Sequence, residues 1–200
     1  MTTFEQYRVR SMFRPGLIAV IGLCCCVSTS PQTSGLEKMP WKALDGLPTA
    51  DFKAEPDSTS IHLATSATGI SMKEMASRPH MKELSIVANF YPQESWIRQG
   101  VSVAVLQHEN RHFCIVELHA RQLRKKLSQL PSLEESNAKE VVHQAYRSAV
   151  DSCKAMEESY NLTTSYGRLM QEEAAWQQRL SQRLAEMEVW SSPRVVIALE

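Results

Sequence analysis

Across residues 83–90, apolar Leu84, Ile86, Ala88 and Phe90 alternate with Glu83, Ser85, Val87 and Asn89, the two-residue period of a strand with one buried face. Residues 59–65, short and β-branched, and residues 69–72 read as further strand segments, so a small antiparallel sheet is expected. Pro92 ends the last of these strands, because it lacks the donor that a continuing ladder needs. After Gly100 the period lengthens to that of a helix: Val101, Val105, Ile115, Leu118, Leu123 and Leu127 share one side of a long segment running to about Leu127. Pro131 and Ser132 close it, and Ser132 with Glu135 has the spacing of a capping box for a second helix over residues 133–160. Residues 161–167 break that helix. A third spans residues 168–190, with Leu169, Ala174, Trp176, Leu180, Leu184 and Met187 as its expected buried positions. Residues 193–200 are a short strand or an unstructured tail. The expected class is α+β, a small antiparallel sheet followed by three helices.

Composition narrows the partners. The chain has 200 residues, 43% of them hydrophobic and 22% charged, which suits one globular domain. Lys plus Arg and Asp plus Glu each total 22, so no excess of either sign draws the chain to nucleic acid.

The N-terminus stands apart. Arg8, Arg10 and Arg14 precede an apolar run, residues 17–27, and residues 28–35 turn polar, which is the grammar of an export signal. That run is too short for a spanning helix, which needs roughly 20 residues. Cys24, Cys25 and Cys26 end it and suggest lipid attachment at a mature N-terminal cysteine, although Leu23 stands where a lipobox has a small residue. The expected division is a signal peptide at 1–27, a linker at 28–40, one domain at 41–190 and a tail at 191–200. The expected location is exported: a periplasmic or outer-membrane lipoprotein, or a secreted protein. Of the cysteines beyond the signal, Cys114 and Cys153 form a bridge in an oxidising compartment only if their Cα atoms approach closely enough.

Candidate chemistry lies on the first long helix. His108, Glu109, Asn110, Arg111 and His112 match H-E-x-x-H. At about 3.6 residues per turn, histidines four apart differ by about 40° around the axis, so both imidazoles reach one Zn²⁺. Glu109 lies at the edge of that face, where it serves as general base toward a metal-activated water attacking a peptide carbonyl. The competing interpretation is a solvated charged face that contains two histidines by chance; flanking Val105, Leu106, Phe113 and Ile115 weigh against it.

A catalytic zinc usually has three protein ligands. Glu117 lies on the opposite side of the helix from His108 and is expected to pair structurally, and His119 sits about 10 Å along the axis from His112, too far for the same ion. The third ligand is therefore expected downstream, among His143, Asp151, Glu157 and Glu158 on the second helix, or Tyr166 in the turn after it.

Ser95-Trp96-Ile97, Leu106 through Phe113, then Ile115, Glu117, Ala120-Arg121 and Leu123-Arg124 resemble the bacterial domain of unknown function 922. Its pattern reads S-W, H-E-Q-x-H-F-D-I-x-E, Y-D-x-x-T-x-H-G, and finally Q and W on the last helix. Tyr160, Thr164, Gly167, Gln171 and Trp176 match the later part. The resemblance covers most of residues 41–190, and members are described as predicted secreted zinc-dependent proteases. It implies a zincin-like domain with the H-E-x-x-H on the first long helix, a zinc cofactor and a peptide or protein substrate. Two departures stand out: Cys114 replaces Asp, and Tyr166 replaces the His before Gly. If that His is a ligand, Tyr166 takes its place as a weaker one that must ionise to compete, with Glu157 or Glu158 as substitutes.

The sequence thus predicts an exported zinc metallopeptidase with His108 and His112 as ligands and Glu109 as base. The strand over residues 83–90 is a candidate edge for an extended peptide. The alternative is a catalytically degenerate, zincin-like cell-envelope lipoprotein with a binding or structural role. A third option, an interaction module on the last helices, rests on Trp176 and Trp190, residues that more commonly pack into a core.

Overall fold

The computed structural model describes residues 37–42 and 46–200; the expected signal peptide and most of the linker lie outside the described residues. The expected alternation produces the central strand. β4 (Met81–Phe90) buries Leu84, Ile86, Ala88 and Phe90 on one face, all at most 2% exposed. It pairs antiparallel with β3 (Thr68–Arg78) through a two-residue turn, in which Pro79 is followed by His80 in left-handed backbone at φ 66°. A bulge between Glu74 and Ala76 leaves Met75 exposed.

On its other side β4 is covered twice. β1 (Met39–Pro40) pairs with Phe90 and Asn89, and β6 (Arg194–Ala198) pairs with Met81 through Ser85. Residues 193–200 thus contain a strand. β4 is central, not an edge, so the expected peptide-pairing edge at residues 83–90 is corrected: both its hydrogen-bonding sides are occupied. The outer edge belongs to β3, and there Tyr146 Oη donates a 2.6 Å hydrogen bond to the Ile70 carbonyl. Of residues 59–65, only β2 (Ala64–Thr65) is a strand; it pairs with β5 (Trp96–Ile97) in a separate ribbon.

Of the three helices, α1 (Val103–Ser128) packs across the sheet, α2 (Glu135–Thr163) packs on α1 and reaches β3, and α3 (Met170–Glu186) packs on α1. The class is α+β, with a small antiparallel sheet and three helices. Contacts of His108 with Asn161 and of His112 with Glu157 show that α2 runs antiparallel to α1. Those of His108 with Glu173 and Arg121 with Leu184 show α3 running parallel to it.

The expected capping box does not form: the residue before α2 is Glu134, without a side-chain cap. Leu133 is drawn instead into pairing with the chain beyond β6, donating to Ala198 O and accepting from Glu200 N, so the helix starts two residues later than expected. On α3 the buried stripe is Glu173, Trp176, Leu180 and Leu184, whereas Leu169 and Ala174 are exposed. The stripe's register therefore begins on a carboxylate, which the apolar pattern conceals.

The second half of α1 is anchored by charge. Glu117, buried, accepts from Arg121 Nε at 2.9 Å and from Arg124 Nη1 at 3.0 Å. Arg121 reaches on to the Leu184 carbonyl and Glu188, while Arg124 donates to Ile86 O in β4 and to Trp190 O. Glu117 thus pairs structurally, as its azimuth requires, and the triad ties α1 to both the sheet and the end of α3. Among the described residues no helix is long and apolar enough to cross a membrane.

Candidate functional site

His108, Glu109 and His112 lie in the first half of α1, and all three are buried. Four-residue spacing sets the imidazoles edge to face, their centroids 5.1 Å apart. Both aim Nε2 at one atom from α2, the side-chain oxygen of Asn161: Oδ1 stands 3.2 Å from His108 Nε2 and 3.0 Å from His112 Nε2.

The opposite ring nitrogens face carboxylates. His108 Nδ1 is 2.7 Å from Glu173 Oε1, and His112 Nδ1 is 3.4 Å from Glu157 Oε1, an ion-pair separation longer than a well-formed hydrogen bond. A carboxylate on Nδ1 holds the proton there and turns the Nε2 lone pair outward, the bracing found behind metal-binding histidines. Glu109 is held separately: Ser66 Oγ, from the turn between β2 and β3, donates to its Oε2 at 2.6 Å.

Glu173 organises one flank. Besides His108 it accepts from Tyr160 Oη at 2.8 Å and from Arg111 Nη1 at 2.7 Å. Burial works against its charge, but His108, Tyr160 and Arg111 prevail and hold its pKa below the usual carboxylate value. The same surroundings, burial first and then the Glu173 charge, push the Tyr160 phenol far up, so it remains a neutral donor. Its ring stacks on His108 with centroids 4.7 Å apart. For His112, burial opposes protonation, yet Glu157, Glu109 and Asn161 together raise its pKa.

The turn after α2 closes the site from above. Ser165, Tyr166 and Gly167 occupy left-handed backbone at φ 49°, 56° and 80°, and Tyr166 N donates to Asn161 O at 2.8 Å. Tyr166 therefore holds the backbone of the residue whose side chain meets the histidines. Its own ring is exposed and packs against His62 at 5.5 Å, and among the described residues no hydrogen bond or ring contact joins it to His108 or His112.

The other downstream candidates are separated from the Nε2 atoms. Glu157 stands on the Nδ1 side of His112, while Glu158 and Asp151 are exposed and His143 is half-buried farther along α2. His119 is buried with its Nε2 unpaired, and burial with the nearby Arg183 lowers its pKa to about 4. Cys114 and Cys153 are both free thiols.

Two site residues escape a sequence reading. Asn161 occupies the Asp position of the Y-D pattern, and in the sequence it marks no more than the start of a helix break. Glu173 carries a signal in retrospect, an acidic residue heading the stripe of Trp176, Leu180 and Leu184.

A family described as "Bacterial protein of unknown function (DUF922)" matches residues 66–167. The chain belongs to this family. The match begins at Ser66 and ends at Gly167, so it contains the histidine pair, Glu109, Glu157, Asn161 and Tyr166 and stops short of Glu173. No curated protein and no solved structure matches the chain.

The donors fit a metal in part. Two Nε2 atoms face one oxygen and His108 is braced from behind by Glu173, but among the described residues no three of His, Cys, Asp and Glu are gathered to hold an ion. The remaining inward donor is the Asn161 amide oxygen.

Proposed function

We propose that this protein is an exported zinc-dependent metallopeptidase of zincin-like build, acting on a peptide or protein substrate. The observation that carries the reading is the convergence of His108 Nε2 and His112 Nε2 on one point, with a carboxylate behind each ring. His108 and His112 would hold the metal; Tyr166, the sequence candidate for a third ligand, supports the site through its backbone. Zinc supplies, when bound, Lewis-acid activation of a water and of the scissile carbonyl. Glu109 takes a proton on its second carboxylate oxygen, the first being fixed by Ser66, and returns it to the leaving amine. Glu173 keeps the His108 imidazole proton on Nδ1, and Glu157 lends its charge to the Nδ1 side of His112 from 3.4 Å. Tyr160, stacked on His108, restricts the ring's rotation and excludes water from that side.

A second reading has a specific observation behind it. Where a zincin has a third strong ligand, this chain presents an amide oxygen, which favours a degenerate envelope protein that keeps the architecture without hydrolysis. The deciding experiment is zinc content by mass spectrometry together with cleavage of a mixed peptide library, for wild type, His108→Ala and Glu109→Gln. One zinc per chain, lost in His108→Ala, with cleavage lost in Glu109→Gln while zinc remains, supports the peptidase. Zinc without cleavage supports the second reading, and no zinc in wild type sinks the first.

A further inference from the structure

We infer that Asn161 is the third donor of the cation site, through Oδ1, completing a two-nitrogen, one-oxygen set with His108 and His112 that takes a borderline divalent cation such as zinc or cobalt. This rests on the metal reading above and names the ligand that reading lacks.

The first argument is spacing. Two donors bound to a tetrahedral zinc at about 2.0–2.1 Å stand about 3.3 Å apart. Asn161 Oδ1 lies 3.2 Å and 3.0 Å from the two Nε2 atoms, within a few tenths of an ångström of that edge length.

The second argument is the accounting of protons. Glu173 Oε1, 2.7 Å away, holds the His108 proton on Nδ1, so in the neutral tautomer His108 Nε2 presents a lone pair, whereas His112 Nδ1, 3.4 Å from Glu157, has no hydrogen-bond partner to fix its tautomer. An amide oxygen has no hydrogen to offer. The lone pairs of His108 Nε2 and Asn161 Oδ1, 3.2 Å apart, repel unless a cation lies between them, and His112 Nε2 faces the same oxygen at 3.0 Å. Asn161 is also fixed from its own backbone, its carbonyl accepting from Tyr166 N at 2.8 Å, which gives the strained turn at Ser165 and Tyr166 a purpose: it sets the carboxamide in place. Because all three donors are neutral, the set attracts a divalent cation less than one containing a carboxylate does.

The test is a competition titration of the full chain with zinc against a chromophoric chelator, repeated with Co²⁺ to read coordination from its visible absorption. Wild type, Asn161→Ala, Asn161→Asp and Tyr166→Phe are compared. The expected result is zinc binding weakened by about tenfold or more in Asn161→Ala, tightened by a similar factor in Asn161→Asp, and changed less than about twofold in Tyr166→Phe. The cobalt spectrum should shift in both Asn161 variants. If Asn161→Ala does not fold, the near-isosteric Asn161→Asp and Tyr166→Phe still decide. Wild-type zinc binding that is indifferent to Asn161→Asp and weakened by Tyr166→Phe overturns the assignment and leaves the metal site intact. A carboxamide turned the other way, donating its NH₂ to both rings as a purely structural lock, gives no zinc binding in wild type. In that case zinc gained in Asn161→Asp overturns Asn161 as a ligand in this chain, and none in either protein overturns the metal reading as well.

Discussion

Gly167 lies flat against His108: a Cβ built on the glycine would stand 3.2 Å from both Cγ and Nδ1 of the imidazole. The glycine is also in left-handed backbone, at φ 80°. Gly100 offers the matching control, with φ 74° and nothing within 4 Å of its would-be Cβ. Gly100→Ala should cost about 1 kcal/mol from backbone strain alone. Gly167→Ala should cost about 1–2 kcal/mol more and displace His108, lowering zinc affinity, whereas Gly100→Ala leaves affinity unchanged. Urea unfolding beside a zinc titration measures both; equal stability losses in the two variants would contradict the close approach.

Glu173 is expected to govern the site from a distance of one ring. Glu173→Gln keeps the shape but weakens the hold on His108 Nδ1 and the pairing with Arg111. Zinc affinity should fall by about 10–100-fold, the usual range for a carboxylate behind a metal-bound histidine. Isothermal titration with zinc checks this, and an affinity within twofold of wild type would reject the bracing role.

Removing the Glu117 carboxylate should uncouple α1 from its neighbours. Glu117→Ala leaves Arg124 buried without a carboxylate and Arg121 with only the exposed Glu188, at a cost of about 3–5 kcal/mol. Chemical denaturation gives the number. A loss below about 1 kcal/mol would mean that the two arginines are satisfied by Glu188 and the Leu184, Ile86 and Trp190 carbonyls.

Acid sensitivity should trace in part to His119. Its folded pKa is about 4 against an ordinary 6.5, so between those values the unfolded chain binds a proton that the folded chain refuses. Stability is therefore lost as pH falls from about 6.5 toward 4, by up to about 3 kcal/mol from this residue. His119→Leu removes the titration and should flatten that part of the stability curve. Urea midpoints at pH 7 and pH 4.5 for both proteins provide the check, and parallel losses would exclude His119 as the cause.

The sheet and helices were largely legible in the sequence, because their signals are local. The alternation over residues 83–90 is a burial pattern, and the spacing of His108 and His112 fixes two rings on one helical face whatever surrounds them. What stayed hidden is what packing creates. Asn161 and Glu173 lie 49 and 61 positions beyond His112, and only the docking of α2 and α3 brings them to the rings. On α3 Trp176, Leu180 and Leu184 are buried as their spacing predicts, but the chain buries Glu173 in place of Ala174, since an apolar count passes over a carboxylate that has found partners. The edge position assigned to residues 83–90 failed for a related reason, as β1 and β6, 2 and 5 residues long, cover that side from far along the chain.

The lateness of β6 has a consequence for biosynthesis. Met81 through Ser85 receive their partners from Arg194–Ala198, and Glu173 reaches His108 only when α3 exists. A ribosome adds roughly 5–20 residues each second, so α1 emerges seconds before the strand and carboxylate that complete its surroundings. During that interval the nascent sheet has an open seam beside Met81–Ser85, and His108 lacks the carboxylate that will hold its Nδ1.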